Sequence, residues 1–187
     1  MPGSRALSPS DLATTVVFAA FIAVLGIFPG ISAGGAGVPI VLQNVGPLLA
    51  AFLLGARRGT AAVALFLALA AMGLPLLSGG RGGIAPFLGP GGGFLLGWLL
   101  SALVAGLVIA RLRRTSLPVL LLAGGAGMAA DYAVGVPFLG LYTGDLWSAA
   151  VQSLIYVPGD VIKLAGASVV AATVHRALPN RLAGSAA

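Results

Sequence analysis

The chain alternates between long apolar stretches and short clusters of charge, glycine and proline, a pattern typical of several membrane-spanning helices. A helix needs roughly 20 apolar residues to cross a bilayer. We therefore expect six spans, the second and third of them short. They are residues 12–28, 39–54, 59–72, 94–109, 117–139 and 147–174. The run from Gly55 to Gly59 predicts a tight hairpin between the second and third spans, and residues 1–187 are expected to form one transmembrane domain.

Composition supports this interpretation, because the 187 residues are 59% hydrophobic and only 7% charged. Soluble domains carry roughly a quarter charged residues, so this chain has too few ions for a surface in contact with water. We interpret it as an all-α integral membrane protein. Cysteine is absent and histidine occurs once, which argues against disulfides and against the usual zinc sites.

Basic residues lie on alternate sides of the predicted spans and indicate the orientation of the chain. One set of loops and termini carries Arg5, Arg57, Arg58, Arg111, Arg113, Arg114, His175, Arg176 and Arg181. The opposite loops carry only Arg81 and Asp145. Both termini are therefore predicted to be cytoplasmic. The net charge of +6 reports topology, and nucleic acid is not an expected partner, since no basic patch carries interleaved aromatic residues.

Two outer loops, residues 29–38 and 75–93, are too rich in glycine to predict a helix and too apolar for simple linkers. Loops of this kind either fold over a ligand, with free backbone N–H groups as donors, or serve as flexible connectors.

Ionisable residues inside a span usually face the protein interior. Asp160 and Lys163 are three residues apart and so share one helix face. They offer an acceptor and a donor to a polar ligand, or they neutralise each other as a structural ion pair. Asp131, next to Tyr132, either joins the same site or bonds to a neighbouring helix.

Other polar or small residues are open to two interpretations each. Gln43 and Asn44 either link helices or contact a ligand. Arg81 binds a carboxylate or phosphate, or is a solvated loop charge. Ala19 and Ala23 form a small-xxx-small pattern that docks a partner helix or packs internally.

Enzyme motifs are not found in the chain. The segment GPGGGFLLG lacks the Gly-Lys-Ser/Thr of a P-loop, so the chain is not expected to hydrolyse ATP. A nucleophile elbow and a paired carboxylate set are likewise missing. We expect a protein that is not an enzyme and needs no cofactor or metal.

Three segments, taken together, resemble the BioY family. They are VPIVLQNVGPLLAAFLLGARRGTAAVALFLALAAMGLPLLSGG, GPGGGFLLGW and VPGDVIKLA, and their order and spacing match from about Val38 to Val170. Members of this family are the biotin-binding S components of energy-coupling factor (ECF) transporters. The resemblance implies a six-helix S-component fold in the bacterial cytoplasmic membrane, with biotin held near the outer face beneath the loops.

The resemblance also implies site residues. Asp160 and Lys163 occupy the family's PGD-x-x-K motif and are expected to bind the ureido ring. Arg81 or loop amides would supply donors to the valerate carboxylate. Gln43 matches the VPI-x-LQ element, and Tyr156 directly precedes the segment VPGD; both are included as candidate ligand residues.

A transmembrane coupling subunit and cytoplasmic ATPases are the implied partners, with Ala19 and Ala23 on the contact face. The sequence leaves open whether the chain works alone, as a homo-oligomer or only with coupling subunits. Two alternative functions are an S component for a different vitamin and a membrane scaffold without a small ligand.

Overall fold

The computed structural model describes residues 8–32 and 37–178, which contain seven helices and one short two-stranded ribbon. The helices are α1 (Pro9–Leu25), α2 (Val45–Ala71), α3 (Ala85–Leu88), α4 (Gly92–Leu112), α5 (Leu117–Thr143), α6 (Leu146–Ser153) and α7 (Val157–Ala177). The ribbon pairs β1 (Ile31–Ser32) with β2 (Pro39–Ile40) in antiparallel fashion.

The helix α2 contains the predicted hairpin. Gly55 has φ 77° and ψ −179°, a backbone conformation found almost only at glycine. A Cβ added to Gly59 would lie 2.8 Å from the carbonyl oxygen of Ala50. In a straight helix these two residues would be about 13 Å apart along the axis. The chain therefore reverses at Gly55, and α2 consists of two antiparallel arms, arm A (residues 45–54) and arm B (residues 56–71).

Four helices, α2, α4, α5 and α7, are long and apolar enough to cross a membrane by length and composition, and α1 is a shorter apolar helix. Two of the differences from the predicted spans change the elements themselves. Helix α2 begins at Val45 rather than at residue 39, because Pro39 and Ile40 belong to the ribbon. The predicted sixth span is divided by turn residues 154–156 into α6 and α7. Pro158 fits the first turn of α7, where no backbone donor is needed.

Helix α4 packs against α2 on one side and against α5 on the other, and at several points the backbones lie close together. Gly106 of α4 lies against the backbone of Ala56, where a Cβ would overlap it. Gly127 of α5 lies against Ser101, whose carbonyl oxygen would be 2.8 Å from an added Cβ. Small residues thus bring α2, α4 and α5 close enough for dispersion to hold these three helices together.

The small-residue pair predicted on α1 lies at the edge of the core, and its contact with a partner helix stays a prediction. Ala19 is only 4% exposed and belongs to the main apolar core, and Ala23 is partly buried against the same core. One turn from Ala19, Ile22 packs on Gly46 at the start of arm A. Ala19 therefore packs internally, because its small side chain lets this helix approach α2.

Arg58, Arg111 and His175 lie at one end of the bundle, whereas Arg81 and Lys163 line the cavity described below. Arg58 pairs with Asp11 at the start of α1, with Nη1 and Oδ1 2.8 Å apart. His175 Nε2, near the end of α7, donates to the carbonyl oxygen of Phe52 over 2.8 Å. Arg111 lies in the last turn of α4. These contacts bring the starts and ends of separate helices to one basic end. The topology residues Arg5 and Arg181 lie outside the described residues.

We predict that Gly55→Ala destabilises the protein by about 1–3 kcal/mol, because alanine strains the backbone at this φ and ψ. Thermal unfolding in detergent measures the effect. Gly166→Ala is the matched control, since an added methyl on α7 meets no atom within 4 Å. Equal melting temperatures for the two variants would contradict the strained reversal.

Candidate functional site

A cavity of about 590 Å³ lies at the end of the bundle opposite the basic end. This volume falls within the range of small-molecule sites. Loop residues between 37 and 44 and between 77 and 91 line one part of it. The helices and the turn before α7 contribute Phe94, Leu95, Trp98, Asp131, Tyr132, Tyr156, Asp160 and Lys163.

The second outer loop is more ordered than its glycine content predicts. Leu77 and Arg81 exchange backbone hydrogen bonds of 2.9 and 3.1 Å, which closes a tight turn. Gly79 and Gly80 within this turn have φ of 79° and 70°, values that favour glycine. The expectation that residues 75–93 hold no helix is wrong, because α3 forms one helical turn started by Pro86.

Asp160 accepts hydrogen bonds from three separate parts of the chain. Asn44 Nδ2 and Lys163 Nζ donate to its Oδ1 over 2.8 and 2.9 Å. The Tyr132 hydroxyl donates to Oδ2 over 2.8 Å. Asp160 is 7% exposed, so this charge is nearly buried. The ion pair expected as a structural alternative does form, and both of its members also line the cavity.

An aromatic group forms the apolar wall. The Phe94 ring meets the rings of Tyr132 and Tyr156 edge to face, with centroid distances of 5.8 and 6.2 Å. The Tyr156 hydroxyl donates to the Val38 carbonyl oxygen over 3.0 Å. Tyr156 therefore presents its ring to the cavity and uses its hydroxyl to hold the loop that precedes β2.

Gln43 lines the cavity, yet its amide bonds to protein on every side. Its Nε2 donates to the carbonyl oxygens of Ile22 and Leu76, over 2.9 and 2.8 Å. Its Oε1 accepts from the Ser78 N–H over 3.1 Å, and the residue is 1% exposed. The structure thus favours the helix-linking interpretation, in which Gln43 braces the outer loop against α1.

Arg81 lies at the mouth of the cavity and is exposed. Its Nε donates to the Ser78 carbonyl oxygen over 3.0 Å, which fixes the start of the guanidinium group in the turn. Arg81 is positioned to meet an anion at the mouth.

Asp131 is brought to the same cavity as Asp160, although the sequence left its place open. Its Oδ1 is buried and has no hydrogen-bond partner within the described residues. Phe94 and Trp98 line the cavity without having been predicted, and Asn44, predicted either to link helices or to contact a ligand, bonds to Asp160. The spacing of Phe94 and Trp98, four apart directly after a glycine-rich loop, was an available signal for one aromatic helix face.

We predict that Gln43→Leu lowers the free energy of unfolding by about 2–4 kcal/mol, because it leaves two carbonyl groups and one N–H unpaired in the interior. The loss is expected without any ligand. Gln152→Leu is the control, since Gln152 bonds only to Ser148 on its own helix. A variant with normal stability but lost ligand binding would instead favour a direct ligand contact for Gln43.

Comparison with known proteins identifies the family. The BioY family model matches residues 2–180. The biotin transporter BioY of Rhizobium etli is 43% identical over 180 residues, covering 92% of this chain and 94% of that protein. The biotin transporter BioY of Rhodobacter capsulatus is 45% identical over 180 residues, covering 89% and 93%.

A solved structure is similar as well. It is a crystal structure at 2.1 Å of the S-component for biotin from an ECF-type ABC transporter. The TM-score is 0.85 at 36% sequence identity, and the match covers 91% of this chain and 95% of that one. The sequence resemblance is thereby confirmed over nearly the whole length, and this chain belongs to the BioY family.

Proposed function

We propose that this protein captures biotin for uptake across the cytoplasmic membrane of a bacterium, as the S component of an ECF-type transporter. The observation that carries the proposal is the ion pair of Asp160 and Lys163 in the wall of an otherwise largely apolar cavity, in a chain of the BioY family. A few polar groups in an apolar pocket fix the orientation of a small ligand.

The chemistry of biotin suits this cavity. Its ureido ring presents one carbonyl oxygen between two N–H groups. Lys163 uses one of its three N–H groups on Asp160 and keeps two for a carbonyl oxygen. The sulfur-containing ring and the aliphatic chain suit the aromatic wall of Phe94 and Trp98. The carboxylate at the end of the chain then reaches the mouth, where Arg81 lies.

The orientation in the membrane follows from the basic end. Cytoplasmic loops are enriched in Lys and Arg, so the end with Arg58 and Arg111 faces the cytoplasm and the cavity faces outward. The chain then crosses six times, through α1, arms A and B, α4, α5 and α7, with both termini inside. Arm A is short, and the residues before it, 37–44, are non-helical and include β2.

The protein is a transporter component rather than an enzyme, and its energy comes from partners. The proposed partners are a transmembrane coupling subunit and a pair of cytoplasmic ATPases, as the ECF type implies. Ala19 is buried and Ala23 only partly so, which leaves Ala23 as the member of this pair that is proposed to meet the coupling subunit.

We predict that biotin raises the thermal stability of the purified protein in detergent. A ligand at a hundred times its Kd contributes about 2.7 kcal/mol. Asp160→Asn and Lys163→Ala each remove most of the shift, because each disrupts the polar end of the cavity. Asp11→Asn and Arg111→Ala, at the basic end, are matched controls that keep it.

The same experiment with thiamine in place of biotin separates the alternative functions. A shift with thiamine but none with biotin would support an S component for another vitamin. Folded protein that responds to no vitamin would support a scaffold role. Full biotin shifts in both site variants would overturn the assignment of Asp160 and Lys163.

For Arg81, we predict a charge-specific effect. Arg81→Gln raises the Kd for biotin about two- to fivefold at low salt, since exposed ion pairs contribute modestly and are screened. Biotinamide, which lacks the carboxylate, binds this variant and the wild type alike. Arg111→Gln is the matched control. An equal loss for biotin and biotinamide would show that Arg81 does not recognise the carboxylate.

A further inference from the structure

Of the two acidic residues that line the cavity, Asp160 accepts several hydrogen bonds, whereas Asp131 has an oxygen that accepts none from the described residues. An ionised carboxylate has about four lone-pair positions. Asp160 fills three of them with Asn44, Lys163 and Tyr132, which leaves about one position for a ligand. The cyclic urea of the proposed ligand brings two N–H groups on opposite sides of its carbonyl. Asp160 therefore has room for one of these donors, and the second requires another acceptor.

Asp131 is the candidate for the missing acceptor. This residue is 8% exposed, lines the same cavity and has a buried Oδ1 without a partner among the described residues. Buried polar atoms are nearly always paired, because an unpaired one loses its hydration without compensation. The neighbouring Tyr132 directs its hydroxyl to Asp160, so it does not satisfy Asp131.

The packing of α4 holds the Asp131 carboxyl group in place. Gly97 lies directly against it, and an added Cβ would overlap Oδ1 and lie 2.8 Å from the Asp131 carbonyl oxygen. Glycine at this position therefore allows α4 and α5 to meet around the carboxyl group. Gly125, also on α5, has no atom within 4 Å of an added Cβ and bears no such contact.

A second cavity of about 10 Å³ adjoins the site and is lined by Asn44, Asp131 and Lys163, among others. It is far too small for a ureido ring and has room for about one water. Asn44 Oδ1 is also buried without a partner. Such a water would serve Asn44 and one oxygen of Asp131. Asp131 also lines the larger cavity, the one with room for a ligand.

We infer that Asp131 accepts one N–H of the ligand's urea group while Asp160 accepts the other, so that two carboxyl groups flank a carbonyl bound by Lys163. This inference rests on the proposed function. Asp131 is then a specificity-determining residue that selects a cyclic urea, or a similar ring, with N–H donors on both sides.

The test measures Kd by isothermal titration calorimetry in detergent, for biotin and for its two ureido N-methyl analogues. Asp131→Ala is expected to raise the Kd for biotin about ten- to hundredfold, because one N–H group of the ligand is left in the cavity without an acceptor. Asp131→Asn keeps one acceptor and loses less. For the analogue methylated on the nitrogen that faces Asp131, wild type and Asp131→Ala bind equally weakly. For the other analogue, the variant still costs affinity.

Two results would overturn the inference while leaving the proposed function intact. One is wild-type affinity for biotin in Asp131→Ala, which would mean that the small inner cavity alone serves this carboxyl group. The other is an equal loss for biotin and both analogues, which would indicate a general structural role. Failure of the wild-type protein to bind biotin would instead refute the proposed function.

A second pair of variants keeps the test decisive if Asp131→Ala does not fold. Gly97→Ala displaces the carboxyl group and is expected to weaken biotin binding, whereas Gly125→Ala is expected to leave it unchanged. Equal affinities in these two variants would also count against a role for Asp131.

Discussion

The arrangement of the site depends on one buried carboxylate. Asp160 gathers donors from the segment before α2, from α5 and from its own helix, parts of the chain that are far apart in sequence. Away from water, a charge left without partners is very unfavourable, so each of these bonds stabilises the others. Loss of the carboxylate would leave the ammonium of Lys163 unpaired and free the side chains of Asn44 and Tyr132. The shape of the cavity wall is thus set by electrostatics as much as by helix packing.

Glycine has two distinct uses in this fold. At Gly55 it permits a backbone conformation that reverses the chain within a few residues. At Gly97 and Gly106 it removes a side chain where helices meet. The first use makes two short arms from one apolar stretch, and the second brings α4 close to both α2 and α5. The high glycine content therefore serves helix packing and turns together.

The sequence predicted some features well, for physical reasons. Ionisable residues in an apolar stretch must face protein, which correctly placed Asp160 and Lys163 inside. The inward position of Ala19 was not predictable from hydropathy, because lipid-facing and core-facing residues are equally apolar in a membrane protein. Hydropathy also failed to predict the ends of helices near residues 39 and 154, because the ribbon and the turn there consist of apolar residues. The place of Asp131 depends on the rotation of α5, which no local pattern encodes.

The hydroxyl of Tyr156 joins the loop before β2 to the turn before α7 by a single hydrogen bond to Val38. The loop on the other side, residues 75–93, is held by the Gln43 side chain. Gln43 bonds to Ile22 of α1 and to the backbone of Leu76 and Ser78 in this loop. The two sides of the mouth are therefore held by different helices, one through Tyr156 before α7 and the other through the bond from Gln43 to α1. Because the Tyr156 ring lines the cavity while its hydroxyl holds the loop, the contents of the cavity and the position of the loop are linked through one side chain.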